Sequence, residues 1–117
     1  MEVAFDGSGR WLGAARFQPL PEHRGNEGWL HGGLAATVLD HVLARTGSAA
    51  LGQRVVTGRL DLRFRRPVLL SGGPFLVRAA AETARSRTVR VSGAILGPDE
   101  TPLVEASALF VAFVPQR

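Results

Sequence analysis

The chain has 117 residues, 45% of them hydrophobic and 21% charged, which fits one compact folded domain and excludes a two-domain or a disordered protein. Cysteine is absent, so disulfides, thiolate zinc sites and a cysteine nucleophile are excluded together. Fourteen basic residues against ten acidic ones give a net charge of +4, and every basic residue is Arg; without Lys there is no Schiff-base chemistry and no Walker-type phosphate lysine.

In chain order, Trp11 to Phe17 alternates and predicts a first strand. Gly33 to Thr46 predicts the one long helix, because Leu34, Ala35, Val38, Leu39 and Val42 recur at helical spacing. Gly47 is the expected stop, and Arg45 falls close enough to the apolar stripe to be expected to snorkel. The period then changes to two. Val56, Gly58, Leu60, Leu62 and Phe64 alternate with Thr57, Arg59, Asp61, Arg63 and Arg65, and Arg66-Pro67 ends the run. After a turn at Ser71-Gly72-Gly73, further strands follow at Phe75 to Ala81, Val89 to Ile95 and Pro102 to Val114, the last two separated by the turn signal Gly97-Pro98-Asp99-Glu100. Short turns between successive strands imply antiparallel pairing, and the helix is the one element able to cover the apolar face. The expected fold is α+β, a curved antiparallel sheet wrapped around one central helix, in a single domain spanning 1–117.

The longest apolar stretch, 106–114 with Ser107 inside it, is too short to span a bilayer, and Met1 to Asp6 shows no basic-then-apolar export signal. A cytoplasmic protein with no membrane partner is expected. Nucleic acid is not an expected partner either, since aromatics are 7% of the chain and Tyr is absent. No Ser sits in a G-x-S-x-G elbow. A metal site is not expected, because His31 and His41 do not share a helix face and no i, i+4 pair of strong ligands exists.

The back of the helix carries Gly33, Ala36, Asp40 and Ala44, with Thr37 to one side. A solvated face ordinarily carries several long charged residues. Small residues with one carboxylate fit close contact instead. Two glycines, Gly32 and Gly33, open the helix where N–H groups are unpaired and the dipole is positive, a place able to polarise a carbonyl oxygen. Gly33 and Asp40 lie roughly 10 Å apart at about 1.5 Å per residue, too far to act on one carbon. A twofold dimer with antiparallel helices removes that difficulty.

His31-Gly32-Gly33 followed by Asp40, with Thr57 and then Leu60, Phe64 and Pro67, resembles the hotdog-fold acyl-CoA thioesterases of the phenylacetate-pathway (PaaI-like) type. The likeness runs from Gly28 to Pro67, and the strand-rich remainder is compatible with it. The resemblance implies a hotdog fold, a homodimer or dimer of dimers, and hydrolysis of an acyl-CoA thioester, with coenzyme A entering as part of the substrate and no separate cofactor. It makes Gly33, with Gly32, the element that polarises the thioester carbonyl, Asp40 of the partner chain the nucleophile or general base, and Thr57 a hydroxyl that assists the water. Many relatives carry Asn six residues before the His; here that place is Gly25, and a one-residue loop adjustment brings in Asn26.

Each residue also has a plainer reading. Asp40 reads equally as a surface carboxylate and Thr57 as an ordinary strand residue. His31 fits a ring that bonds the loop or orients the helix start and substrate. Arg85 and Arg87, near a hairpin, suit the phosphates of coenzyme A, or else form a basic edge that discourages aggregation. An acyl tunnel built from both subunits would draw on Leu51, Val55 and the region of Trp29. The alternative function is a non-catalytic acyl-CoA-binding hotdog module.

Overall fold

A computed structural model describes residues 1–8, 10–20 and 28–113. The elements run β1 (Val3–Asp6), β2 (Leu12–Phe17), α1 (Gly32–Leu51), β3 (Val55–Phe64), β4 (Phe75–Ala81), β5 (Thr88–Leu96) and β6 (Pro102–Ala112). The six strands form one antiparallel sheet in the order β1-β2-β4-β5-β6-β3, with α1 packed across one face. Among the described residues, no helix is long and apolar enough to cross a membrane.

Three features differ from the sequence expectation. Strand β1 was not anticipated, because Val3 to Asp6 is too short to show an alternation; it pairs with β2 and lays Phe5 under the guanidinium of Arg45, 5.9 Å from the ring centre. The helix runs five residues beyond Thr46. Gly47 is not its stop but a buried interior position, where an added Cβ would meet Phe110, Val89 and Val91 at 3.2 Å. The chain leaves the helix at Gly52, whose φ of 72° is left-handed and whose N–H donates to the Ser48 carbonyl.

The third difference lies in β3. Its pairing with β6 passes from Thr57↔Phe110 to Arg59↔Leu109, so Gly58 is an extra residue in a bulge. The bulge reverses the parity of the residues before it. Thr57 therefore turns to the helix face with Leu60, Leu62 and Phe64, while Val56 is left 47% exposed. Unbroken alternation would have pointed Thr57 outward.

Cross-strand register explains how closely the helix sits. Gly13, Ala79, Gly93 and Ala106 align across four neighbouring strands and form a row of small residues beneath α1. A Cβ on Gly93 would collide with the Leu43 side chain at 2.6 Å, and one on Gly13 would run into Thr46. The neighbouring row on one side brings larger groups, Val77, Ile95 and Val104; on the other, the row of Ala81, Val91 and Ala108 is followed by Val89 with Phe110. With Leu39, Val42 and Leu43 these form a core from which water is excluded.

Candidate active site

The helix start is built by its neighbours on both sides. Leu30 N–H donates to the Val68 carbonyl at 2.7 Å and Leu70 N–H to the Gly28 carbonyl at 2.9 Å, tying the approach segment to the chain beyond β3. His31 then caps the helix. Its carbonyl accepts from Leu34 and Ala35, and its ring Nδ1 accepts from Gly33 N–H at 3.1 Å. The Gly33 amide is thus occupied, contrary to the expectation that it would be the bare donor. The N–H of Gly32 has no partner among the described residues, so it is the free donor at the positive end of the helix.

Eight residues further on, Asp40 lies half-buried on the side of α1 that faces β3. Thr57 Oγ1 donates to Asp40 Oδ1 at 2.7 Å. The bulge at Gly58 is what makes this contact possible. Oδ2 of Asp40 has no hydrogen-bond partner among the described residues, so one carboxylate oxygen is fixed and the other is available. Ala36 and Ala44, one turn away on either side, keep the approach to it narrow but unblocked by long side chains.

The free amide and the free carboxylate oxygen belong to one helix, yet at about 1.5 Å per residue they stand about 12 Å apart. They do not converge within one chain. Both, however, lie along β3, which is the last strand of the sheet and has no neighbour on its outer side among the described residues. Phe64, at the far end of β3, lies against the helix start, with its ring 3.7 Å from where a Cβ on Gly32 would stand.

The remaining expected residues lie elsewhere. Arg85 sits in the tight turn between β4 and β5, where it exchanges backbone hydrogen bonds with Thr88. Arg87 is exposed beside it, its guanidinium 3.5 Å from the Ala112 carbonyl, at the end of the sheet where β3 begins. Neither contacts Asp40, Thr57 or His31. Asn26 lies outside the described residues. Among those residues, no group of three His, Asp or Glu side chains gathers in a way that could hold a metal ion.

A long helix laid across an antiparallel sheet of this order is the hotdog-like α+β fold of thioesterases. The family model described as the thioesterase superfamily matches residues 27–102, and the chain belongs to that superfamily. It is 33% identical over 100 residues to "Acyl-coenzyme A thioesterase THEM4" of Xenopus laevis, covering 85% of this chain and 44% of that protein. The chain therefore spans less than half the length of the curated relatives it matches. Among solved structures, the thioesterase superfamily protein of Shewanella loihica superposes with a TM-score of 0.74 at 23% identity, over 97% of this chain and 90% of that one. The BH2602 protein of Bacillus halodurans, crystallised with CoA, gives 0.77 at 22% identity, over 98% of this chain and 75% of that one. At these identities the two structures speak to the fold.

Proposed function

We propose that the protein hydrolyses acyl-CoA thioesters, that 1–117 acts as a single hotdog thioesterase domain of the PaaI-like type, and that two copies combine to form each site. The observation that carries this reading is the Asp40–Thr57 pair: a carboxylate held by one oxygen, on a helix face of small residues, beside an unpaired sheet edge. An ordinary surface carboxylate has no need of such a setting. The relatives named acyl-CoA thioesterases and the CoA-bound neighbour support the choice of thioester.

In this reading the thioester carbonyl oxygen accepts from the Gly32 N–H, where the helix dipole favours developing negative charge. The capping ring of His31 holds the Gly33 amide aside and orients the first turn. Asp40 of the second copy either removes a proton from water as it adds to the carbonyl carbon, or adds itself and is then released by water. The C–S bond breaks, and coenzyme A leaves with a proton. Thr57 fixes the carboxylate so that Oδ2 faces the reacting carbon. Arg85 and Arg87 are assigned to the phosphates of coenzyme A, for which exposed guanidinium groups are suited.

Strand β3 supplies the surface on which two copies meet. An antiparallel second β3, with Leu60 opposite Leu60, sets Arg59 against Asp61 of the other copy in both directions. It also satisfies a row of edge N–H and C=O groups. The same twofold turns each helix end for end against the other and carries the Asp40 of one copy toward the Gly32 of its mate.

The test is release of free thiol from a panel of acyl-CoAs. Turnover by the wild type that is lost in Asp40→Asn supports the assignment. Calorimetric binding of acyl-CoA with no thiol released from any panel member would leave the binding-module reading in its place.

A further inference from the structure

Six arginines, Arg10, Arg45, Arg54, Arg85, Arg87 and Arg90, gather at the end of the molecule where β2, β3 and β5 begin and α1 finishes. Resting on the thioesterase reading above, we infer that this end docks an acidic carrier protein, which presents the acyl group to the site as the thioester of a protein-bound phosphopantetheine arm.

Backbone pairing fixes the cluster. Ala81 N–H donates to the carbonyl of Trp11, next to Arg10, and Glu82 N–H to that of Arg90. Ala112 N–H donates to the carbonyl of Arg87, and Phe113 N–H to that of Arg54. Arg85 sits in the turn before Arg87, and Arg45, in the last two turns of α1, lines a cavity with Arg54. Among the described residues none of the six forms an ion pair, whereas Arg59, Arg65 and Arg78 are paired with Asp61, Glu105 and Glu100. Two exposed carboxylates, Asp6 and Glu82, share this end and leave the positive charge in excess. Such a field attracts and orients an acidic surface.

The cluster is wider than the nucleotide of CoA requires. Arg10 before β2 and Arg54 before β3 stand four strands apart in the sheet order, about 19 Å at about 4.8 Å per strand. Phosphate held at Arg85 and Arg87 leaves Arg10, Arg54 and Arg90 over, and an acidic helix about 10–12 Å across covers them. Beside Arg54 stand Val56 and Phe113, 47% and 48% exposed, an apolar centre within a basic rim such as protein partners bury. Bases have less to stack on here, because Phe5 lies under Arg45 and edge-on to Trp11. Arg54 precedes Thr57 by three residues, about 10 Å along β3, so an arm anchored at this end enters beside Asp40. The chemistry is that of the CoA thioester: water adds to the carbonyl carbon, the C–S bond breaks, and the thiol stays with its proton on the arm of the carrier.

The experiment loads the acyl group best hydrolysed from CoA onto an acidic acyl carrier protein. It compares kcat/KM for the two substrates in the wild type, in Arg54→Glu with Arg90→Glu, and in Arg54→Lys with Arg90→Lys. The wild type is expected to turn over both. Reversing the two charges should lower kcat/KM for the carrier-bound substrate by about tenfold or more and leave that for acyl-CoA nearly unchanged, while the Lys pair retains both. Hydrolysis of acyl-CoA without hydrolysis of the carrier-bound substrate overturns the inference. So does an equal loss on both substrates, which gives these arginines to the nucleotide, or no loss on either. Inhibition by a single-stranded oligonucleotide but not by unloaded carrier protein gives the face to nucleic acid instead. Failure to release thiol from either substrate removes the underlying thioesterase reading as well.

Discussion

Thr57 and Asp40 are seventeen positions apart in sequence, yet the hydroxyl of one donates to the carboxylate of the other at 2.7 Å. The contact joins the middle of the helix to the sheet edge and orients the carboxylate. Replacing Asp40 by Asn keeps the shape and removes the base; kcat should fall by about 10²–10³, the range seen when a principal stabilising group is lost. Thr57→Val should cost less, about tenfold, and Thr57→Ser should stay near the wild type because the donor is retained. Thiol-release kinetics, with circular dichroism as the check on folding, decide the matter, and near-normal turnover in Asp40→Asn would end the catalytic assignment.

Subunit pairing along β3 makes a separate prediction. Arg59 and Asp61 already form an ion pair within the strand at 2.9 Å, and the proposed twofold sets each against its opposite on the second copy. Asp61→Arg should place like charges across the interface and shift the molecule toward monomer. The exchange Arg59→Asp with Asp61→Arg should recover association. Sedimentation equilibrium reads the result, and activity should follow the dimer fraction. A wild type that is monomeric and fully active would refute the shared site.

At the helix start, His31 supplies an acceptor for Gly33 N–H at 3.1 Å. His31→Ala should lower stability by about 1 kcal/mol through loss of that cap, while His31→Asn should retain most of it. Urea unfolding of the three proteins tests this directly. Equal stability of His31→Ala and the wild type would show that the cap contributes nothing.

Gly47 gives the clearest stability prediction. Its three 3.2 Å neighbours, Phe110, Val89 and Val91, are each no more than 2% exposed and have nowhere to move. Gly47→Val should cost about 1–3 kcal/mol by overpacking, despite the gain expected from replacing a mid-helix glycine. The urea midpoint should fall without a change in slope. A midpoint at or above that of the wild type would mean that the helix can lift away from β5 and β6.

Much of this architecture is legible in the chain. The change from helical spacing in Leu34 to Val42 to alternation in Phe75 to Ala81 identifies the helix and the central strands, because those elements bury one face only. What escapes is what tertiary packing decides. Gly47 looks like a stop because glycine commonly ends helices, and only the crowding by Phe110 shows it to be an interior contact. The bulge has no signal beyond Gly58 itself, yet it controls which way Thr57 points. In the candidate site, Asp40 and the Gly32-Gly33 helix start stand out by their spacing, and Thr57 only by resemblance to known enzymes. The engagement of the Gly33 amide does not, since it depends on a ring rotamer. Phe64 was visible as a strand residue, but its place beside Gly32 required the fold.

The alignment of Gly13, Ala79, Gly93 and Ala106 across four strands fixes the clearance between helix and sheet. Because that spacing is shared, enlarging any one of the four would tilt or raise the whole of α1 and displace Asp40 and Gly32 together, far from the altered position. Engineering that leaves the reacting groups untouched can therefore still spoil their alignment, and at Gly93 trimming Leu43 would not restore it, because an added Cβ would also collide with the Arg78 carbonyl oxygen.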